Sequence, residues 1–197
     1  MMNVVYSTLE GTSVKLAPMK REHAEPLYEA GRDPAVWTYM QARMQSPEQM
    51  RAIVDEAVAA AERGEELPYT IFDAAGERAL GSTRLYDMSV AHRNLEIGWT
   101  WLTPSVWRTR VNTECKRLLL AHAFETMGAI RVQLKADARN ARSRQAIERI
   151  GGVYEGTLRQ HRILPDGFIR DTVYYSILER EWPEAKRRLD DRLARRD

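Results

Sequence analysis

Residues 94–125 constrain the fold of this chain more than any other stretch. Apolar and polar residues alternate over 95–101, and this alternation predicts a strand. Glu96 is expected on one face of that strand. The opposite face is expected to carry Leu95, Ile97, Trp99 and Trp101. Pro104 then ends the strand, because proline lacks the amide that a strand ladder needs.

A basic loop and a helix follow this strand directly. Residues 108–111 include two arginines, and Asn112 stands where a helix N-cap is expected. The helix is predicted over 113–127 and is ended by Gly128. Because the first turn of a helix presents free amides and the positive end of the helix dipole, this order of elements predicts an anion-binding site.

The rest of the chain predicts several more strands and helices. Strands are predicted over residues 12–17, 68–72, 79–88, 130–136, 153–164 and 168–178, and helices over residues 21–31, 46–63 and 141–150. Ser46 and Asn140 are the expected caps of the last two helices. This order predicts an α+β fold, with a mixed, mostly antiparallel central sheet of about seven strands flanked by helices.

The length of 197 residues fits a single domain, residues 1–197. We expect its core over about 12–182 and a charged surface helix in the tail, 183–197. The net charge of +2 is too small to indicate nucleic-acid binding by itself, and no apolar run approaches the roughly 20 residues that span a bilayer.

Cysteine and histidine usage point to a cytoplasmic protein without a metal site. The single cysteine, Cys115, excludes an intramolecular disulfide and fits a reducing compartment. The N-terminal segment lacks the pattern of a secretory signal. The four histidines show no zinc-binding spacing. We therefore expect no metal ion, no nucleic-acid partner and no membrane contact.

Three groups of sequence segments carry a resemblance to a known family. They are LEIGWTWLTP with VWRTRVNTECK, DARNARSRQAIERIGGVYEG, and GFIRDTVYYSILEREW. With these segments the chain resembles the GNAT superfamily of N-acetyltransferases, and within it the branch of the ribosomal-protein N-terminal acetyltransferases. The resemblance implies acetyl transfer from acetyl-coenzyme A to a primary amine, either a protein N-terminus or a small molecule. It is also compatible with a homodimer.

The resemblance further implies which residues bind acetyl-coenzyme A. In the family the fourth strand ends in a bulge and separates from the fifth, and the pantetheine arm lies between them. Main-chain groups at the end of the strand would bond the pantetheine, and amides of the loop and helix would hold the pyrophosphate. The implied cofactor-binding residues are Trp101, Leu102, Thr103, Arg108, Thr109, Arg110, Val111, Asn112, Thr113, Asn140 and Ser143.

Two features depart from the family pattern. The family phosphate loop reads Gln/Arg-x-x-Gly-x-Gly/Ala, whereas Arg110 and Asn112 occupy the small positions here. The Arg110 side chain would either contribute charge to a phosphate or block its approach. Ile147 stands where many family members place a tyrosine that protonates the departing thiolate, so that acid is missing, supplied elsewhere or unnecessary. The alternative function is therefore a degenerate module that binds acetyl-coenzyme A without turnover.

Glu96 is the candidate general base for deprotonating an acceptor amine. It lies in the central strand on the face opposite the large apolar side chains, where family members often have a carboxylate. Two other interpretations stay open: Glu96 pairs with a neighbouring cation, or it orients the acceptor. Tyr174 and Tyr175 should point to opposite faces of their strand, so that one of them lies in the core. His161 either lines the mouth of the acceptor site or is an exposed strand residue, and we expect the latter.

Overall fold

The computed structural model of the protein describes residues 1–195, which form one sheet of eight strands and five α-helices. The strands are β1 (Leu9–Glu10), β2 (Val14–Pro18), β3 (Leu67–Asp73), β4 (Ala79–Ser89), β5 (Asn94–Leu102), β6 (Arg131–Asp137), β7 (Val153–Ile163) and β8 (Ile169–Leu178). The helices are α1 (Ala24–Ala30), α2 (Pro47–Glu62), α3 (Val111–Ala121), α4 (Ala141–Arg149) and α5 (Trp182–Ala194). A π-helical turn, His122–Thr126, extends α3.

The order of strands in the sheet is β1-β2-β3-β4-β5-β6-β8-β7. Neighbouring strands are antiparallel except β5 and β6, which run parallel. The predicted α+β fold with a mixed, mostly antiparallel sheet is therefore confirmed. The strand beyond the predicted number is β1, whose two residues pair with Leu16 and Lys15 of β2. Two residues are too few to produce a recognisable alternation.

Side-chain caps fix where two of the helices begin. Ser46 Oγ accepts a hydrogen bond from the Gln49 amide over 3.4 Å at the start of α2. Asn140 Oδ1 accepts one from the Ser143 amide over 3.0 Å at the start of α4. Both predicted caps are confirmed. Within residues 1–195, no helix has the length and apolar character needed to cross a membrane.

Helix α5 is more deeply packed than the surface helix expected for the charged tail. Trp182, Ala185 and Leu189 belong to the hydrophobic core, and their spacing places them on one face of the helix. The indole of Trp182 stacks on Phe124, with ring centroids 5.6 Å apart. The last two residues of the predicted tail, 196–197, lie outside the described part of the chain.

Separate hydrophobic clusters cover the two faces of the sheet. Helices α3, α4 and α5 pack on one face, around Leu95, Ile97, Leu119, Ile147, Tyr175 and Leu189. Helices α1 and α2 pack on the other, around Leu27, Trp37, Val54 and Trp101. We call these the α3 face and the α1 face.

A bulge in β5 interrupts its pairing with β4. Arg84 pairs with Gly98 whereas Ser82 pairs with Trp101, so that two steps along β4 match three along β5. Trp99 lies within this extra step and adopts the left-handed conformation, with a φ of 51°. An inserted residue of this kind bends the strand and moves the side chains that follow it to the opposite face.

The bulge makes one part of the sequence prediction wrong. Leu95 and Ile97 lie on the α3 face, as the alternation requires. Trp101 was predicted on the same face, but it packs on Trp37 of the α1 face, with ring centroids 5.1 Å apart. The reason is that a strict period of two cannot reveal a single extra residue in a strand.

Strands β5 and β6 separate beyond Glu96. Residues 94–96 of β5 pair with residues 131–133 of β6, and the ladder ends there. On its opposite edge, strand β6 pairs with β8 along its whole length. The second half of β5 therefore has no partner strand on its β6 side, and main-chain groups along this edge can bind a ligand. A cleft opens through the sheet at this point.

Candidate active site

The cleft between β5 and β6 has a volume of about 300 Å³. It joins the α3 face of the sheet to the α1 face. One end, the helix end, is lined by Asn112, Thr113, Asn140 and Ser143. The other end, the Glu96 end, is lined by Tyr39, Tyr86, Glu96, Lys135 and Arg170.

Two helix N-termini meet at the helix end. In the first turn of α3, Thr109 Oγ1 accepts a hydrogen bond from the Val111 amide over 3.3 Å. The amides of Asn112 and Thr113 have no acceptor within the helix, because they belong to its first turn. Helix α4 begins at Asn140 beside them. Both helix dipoles turn their positive ends to the cleft, and such a site favours an anion.

Asn112 is not the N-cap of α3, contrary to the prediction. The helix begins at Val111, and Arg110 occupies the cap position without a side-chain hydrogen bond. Thr109 supplies the bond to the first turn instead. Asparagine and threonine are both common capping residues, so the sequence could not decide between them. The consequence is that Asn112 lies within the first turn and lines the cleft.

The Arg110 guanidinium points away from the helix end. Its Nη2 donates a hydrogen bond to the main-chain carbonyl of Leu193 in α5 over 2.9 Å. This position agrees with neither predicted role of the side chain, charge on a phosphate or obstruction of one. Arg108 and Arg142 line the cleft instead, and Arg142 lies 4.0 Å from the centroid of the Trp107 ring. Lys116 and Arg149 also line the cleft, so several cationic side chains are available to a ligand near this end.

Nine of the twelve predicted site residues line the cleft. They are Glu96, Trp101, Leu102, Arg108, Thr109, Asn112, Thr113, Asn140 and Ser143. Thr103, Arg110 and Val111 do not line it. The Thr103 amide donates to the Leu80 carbonyl over 2.7 Å, so it is not free for the predicted bond to pantetheine. Ligand contacts by the nine remain predictions.

Glu96 is fully buried within a network of polar side chains. Its Oε1 accepts a hydrogen bond from the Tyr86 hydroxyl. Its Oε2 accepts one from Gln133 Nε2 over 2.8 Å and forms an ion pair with Lys135 Nζ over 3.0 Å. Pairing with a cation, one of the interpretations left open by the sequence, is thus confirmed. Since a carboxylate has about four acceptor positions, one more donor can still approach.

The Tyr86 hydroxyl is held in its protonated form. Burial and the neighbouring charge of Glu96 raise the pKa of Tyr86 far above its ordinary range. Lys135 Nζ lies 5.3 Å from the centroid of the Tyr86 ring. Sequence reasoning did not identify Tyr86 or Lys135. The sequence did contain a signal for Lys135. Gln133 pairs with Glu96 in the parallel register, and alternation along β6 puts Lys135 on the same face as Gln133.

Lys116 is a buried cation on the α3 face of the cleft. Only 7% of the surface of Lys116 is exposed, and its Nζ donates a hydrogen bond to Thr100 Oγ1 over 2.6 Å. Burial lowers the pKa of Lys116 to about 8. This ammonium group can therefore exchange a proton near neutral pH. Sequence reasoning missed it too, although a lysine three residues before Leu119 stands on the apolar side of the helix.

The tyrosines of β8 follow their predicted orientations. Tyr175 is fully buried, and its hydroxyl donates to Glu148 over 3.0 Å. Tyr174 is half-buried on the other face. His161 is also half-buried, with its ring centroid 5.9 Å from that of Tyr174, so the expectation of an exposed residue is wrong. Ile147 lines the cleft without offering a proton donor.

Comparison with known proteins identifies the family. The family model of the acetyltransferase (GNAT) domain matches residues 13–153. The chain belongs to the GNAT acetyltransferases. It is therefore an acyltransferase, and its splayed β5 and β6 form the cleft that the GNAT resemblance predicted between strands.

Three GNAT proteins illustrate the similarity. YdaF of Bacillus subtilis (strain 168), provisionally named a ribosomal N-acetyltransferase, is 35% identical over 106 residues, 54% of this chain and 57% of YdaF. A protein from T. thermophilus, provisionally described as an acetyltransferase, is 37% identical with a TM-score of 0.86, over 98% of this chain and 100% of that one. Mycobacterium smegmatis RimJ, in complex with CoA-disulfide, is 23% identical with a TM-score of 0.79, over 94% and 92% of the chains. At that identity RimJ supports the fold alone.

Proposed function

We propose that this GNAT protein transfers an acetyl group from acetyl-coenzyme A to a primary amine. The observation that carries the proposal is the cleft, which joins two helix N-termini on one face of the sheet to a buried carboxylate on the other. Acetyl-coenzyme A has phosphates at one end and a thioester at the other, so its charge matches this distribution. Bound there, it supplies the activated acetyl group.

The helix end is the proposed site for the phosphates. The amides of Asn112 and Thr113 can donate hydrogen bonds, and Arg108 and Arg142 add positive charge. Free donors and cationic side chains therefore lie together at this end of the cleft. The open edge of β5 is the proposed site for the pantetheine amides. The Leu102 carbonyl already accepts a hydrogen bond from Trp107 Nε1 over 2.8 Å and has a second lone pair for a ligand.

Glu96 is the proposed general base. As the amine nitrogen bonds to the acetyl carbon, it must lose a proton, and the thiolate leaves with the electrons of the carbon–sulfur bond. The Tyr86 hydroxyl can accept the amine proton while it gives its own to Glu96. Lys116 is a proton source for the thiolate, because its ammonium lies in the cleft wall with a pKa of about 8. It would replace the acid missing at Ile147.

Because YdaF is described as a ribosomal N-acetyltransferase, the first acceptor to test is the N-terminus of a ribosomal protein. Small-molecule amines are the second class. We place the reaction in the cytoplasm, where ribosomes and acetyl-coenzyme A occur together. A thiol-release assay should use ribosomal-protein N-terminal peptides, amino acids, polyamines and aminoglycosides as acceptors.

We expect thiol release that requires both acetyl-coenzyme A and one of these amine classes. Titration calorimetry should show about one cofactor site per chain, weakened by salt as the phosphate contacts are screened. Binding without release for every amine would favour the degenerate module. No heat at submillimolar acetyl-coenzyme A would contradict both functions.

Asn140→Ala should weaken acetyl-coenzyme A binding and also lower stability. Loss of the cap on α4 removes about 1 kcal/mol from the free energy of unfolding. Ser46→Ala is the matched control, because it removes the cap of α2, and Ser46 does not line the cleft. We expect both variants to have a lower melting temperature, but only Asn140→Ala to bind the cofactor more weakly in calorimetry. Equal cofactor affinity in the two variants would limit Asn140 to a structural role.

Arg110→Ala should leave acetyl-coenzyme A affinity nearly unchanged. The variant loses the hydrogen bond to Leu193, so the free energy of unfolding should fall by about 1 kcal/mol. Arg108→Ala is the comparison, because Arg108 lines the helix end and should weaken binding without a matching loss of stability. A weakening of roughly tenfold or more in Arg110→Ala, about 1.4 kcal/mol, would put its guanidinium on a phosphate after all.

A further inference from the structure

We infer that the acceptor carries a carboxylate near its amine and that Arg170 binds this carboxylate. The inference rests on the proposed function, because it specifies the acceptor of the same site. It makes Arg170 a specificity-determining residue of the Glu96 end.

Arg170 is a buried cation with no anion of its own. It lies in β8 with 6% of its surface exposed. Its Nε has no hydrogen-bond acceptor within residues 1–195, and no carboxylate in that range lies within 4.0 Å of its guanidinium. A buried charge without a partner is strongly unfavourable, and a guanidinium does not become neutral in a protein. A ligand that brings an anion would remove this unfavourable state.

The neighbouring carboxylates are already committed to other cations. Glu96 pairs with Lys135 over 3.0 Å. Asp137 accepts hydrogen bonds from Arg139 on both oxygens, over 3.0 Å at Oδ1 and 2.7 Å at Oδ2. Lys135 and Arg139 thus hold the two carboxylates nearest to Arg170, which leaves its guanidinium without one of its own. A carboxylate on the ligand would supply the missing partner.

The position of Arg170 separates it from the proposed phosphate site. Alternation along β8 places Arg170 on the same face as Tyr174, opposite the core residue Tyr175. That is the α1 face, whereas the helix N-termini lie on the α3 face. Arg170 also lines the cleft together with Glu96. An anion at Arg170 thus belongs to the molecule whose amine approaches Glu96.

The guanidinium fork matches a carboxylate in shape as well as in charge. Two kinds of acceptor present a carboxylate close to a primary amine. One is a free amino acid with its α-carboxylate, and the other is a polypeptide whose N-terminal residues include an acidic side chain. The shared chemistry is the carboxylate, and separate arms of one experiment distinguish its source.

The test compares matched acceptors by thiol release. The first arm sets a free amino acid against its α-carboxamide, and the second sets peptide amides beginning Ser-Asp against those beginning Ser-Asn. In the arm that contains the true class of acceptor, we expect kcat/KM to be about tenfold or more higher for the carboxylate than for the amide, as for a charge-assisted bidentate contact. Arg170→Gln should abolish this preference by raising the acceptor KM, with kcat and cofactor affinity nearly unchanged. Arg170→Lys should keep part of it.

Arg162→Gln is the control variant. Arg162 is the exposed partner of Arg170 in the β7–β8 register, so its replacement removes a nearby charge without touching the cleft lining. It should preserve the carboxylate preference. The melting temperature of Arg170→Gln should rise, because the variant no longer buries an unpaired charge. A purely structural arginine would give the opposite change.

Three results would overturn the inference. They are equal kcat/KM for carboxylate and amide in both arms, an unchanged preference in Arg170→Gln, and a tenfold loss of cofactor affinity in that variant. If no amine releases thiol, the proposed function fails separately. Binding then still tests Arg170: N-acetylalanine should bind the parent more tightly than N-acetylalaninamide does, and equal affinities would reject the carboxylate site.

Discussion

Replacing Glu96 with glutamine should lower kcat by roughly 10²- to 10⁴-fold, the usual contribution of a general base. Glutamine keeps the size of the side chain and can still accept the hydrogen bond from Tyr86, but it cannot take up a proton at neutral pH. Acetyl-coenzyme A affinity should be nearly unchanged, because the helix end of the cleft lies on the other face of the sheet. Steady-state kinetics with one acceptor and titration calorimetry measure the two quantities separately.

The ion pair between Glu96 and Lys135 supplies the control. If the role of Glu96 is only to neutralise Lys135, the double variant Glu96→Gln, Lys135→Gln removes both charges and should recover activity. A general base predicts that the double variant stays as slow as Glu96→Gln. A loss confined to the acceptor KM would make Glu96 a binding residue. Parental kcat in Glu96→Gln would remove it from the reaction.

Local sequence signals predicted much of the fold and the helix end of the site. The alternation before Pro104, the basic loop and the cap at Asn140 each depend on residues a few positions apart. Such patterns predict the folded structure well, because residues close together in the sequence determine them. The order of these elements then indicated the α+β sheet and the anion site.

Other features of the site depend on contacts between distant parts of the chain. The bulge at Trp99 changes which face Trp101 occupies. The family resemblance implied a bulge in this strand, but the alternation of residues does not show where it lies. The direction of the Arg110 side chain depends on helix α5, which the sequence presents as a charged tail. The burial of Arg170 and Lys116 likewise requires the whole sheet to be assembled. A sequence pattern identifies a cation but not whether an anion will lie beside it.

Lys116→Met should make the ligand-free protein more stable at neutral pH. Burial lowers the pKa of Lys116 from 10.5 to about 8, and a change of that size corresponds to roughly 3 kcal/mol of unfavourable free energy. The hydrogen bond to Thr100 stabilises the folded parent by about 1 kcal/mol, which offsets part of this cost. Methionine has a similar helix propensity and fills irregular apolar space. We therefore expect the free energy of unfolding at pH 7 to rise by about 2 kcal/mol.

The pH dependence of this gain identifies its cause. Below pH 8 the lysine is protonated in both the folded and the unfolded chain, so the full gain is present. Between about pH 8 and 10.5 the unfolded chain holds a proton that the folded chain has released, so the parent becomes more stable relative to the variant and the gain shrinks. Urea unfolding of the parent and Lys116→Met across this range measures the change.

The exposed Lys20 provides the control for Lys116. Lys20→Met should change the free energy of unfolding by no more than about 0.5 kcal/mol, because its side chain is already in solvent. A gain in Lys116→Met that stays constant with pH would show that packing, not a buried charge, is responsible. A gain that fades with pH, together with slower thiol release at neutral pH, would mean that the chain keeps a destabilising lysine because the reaction uses its proton.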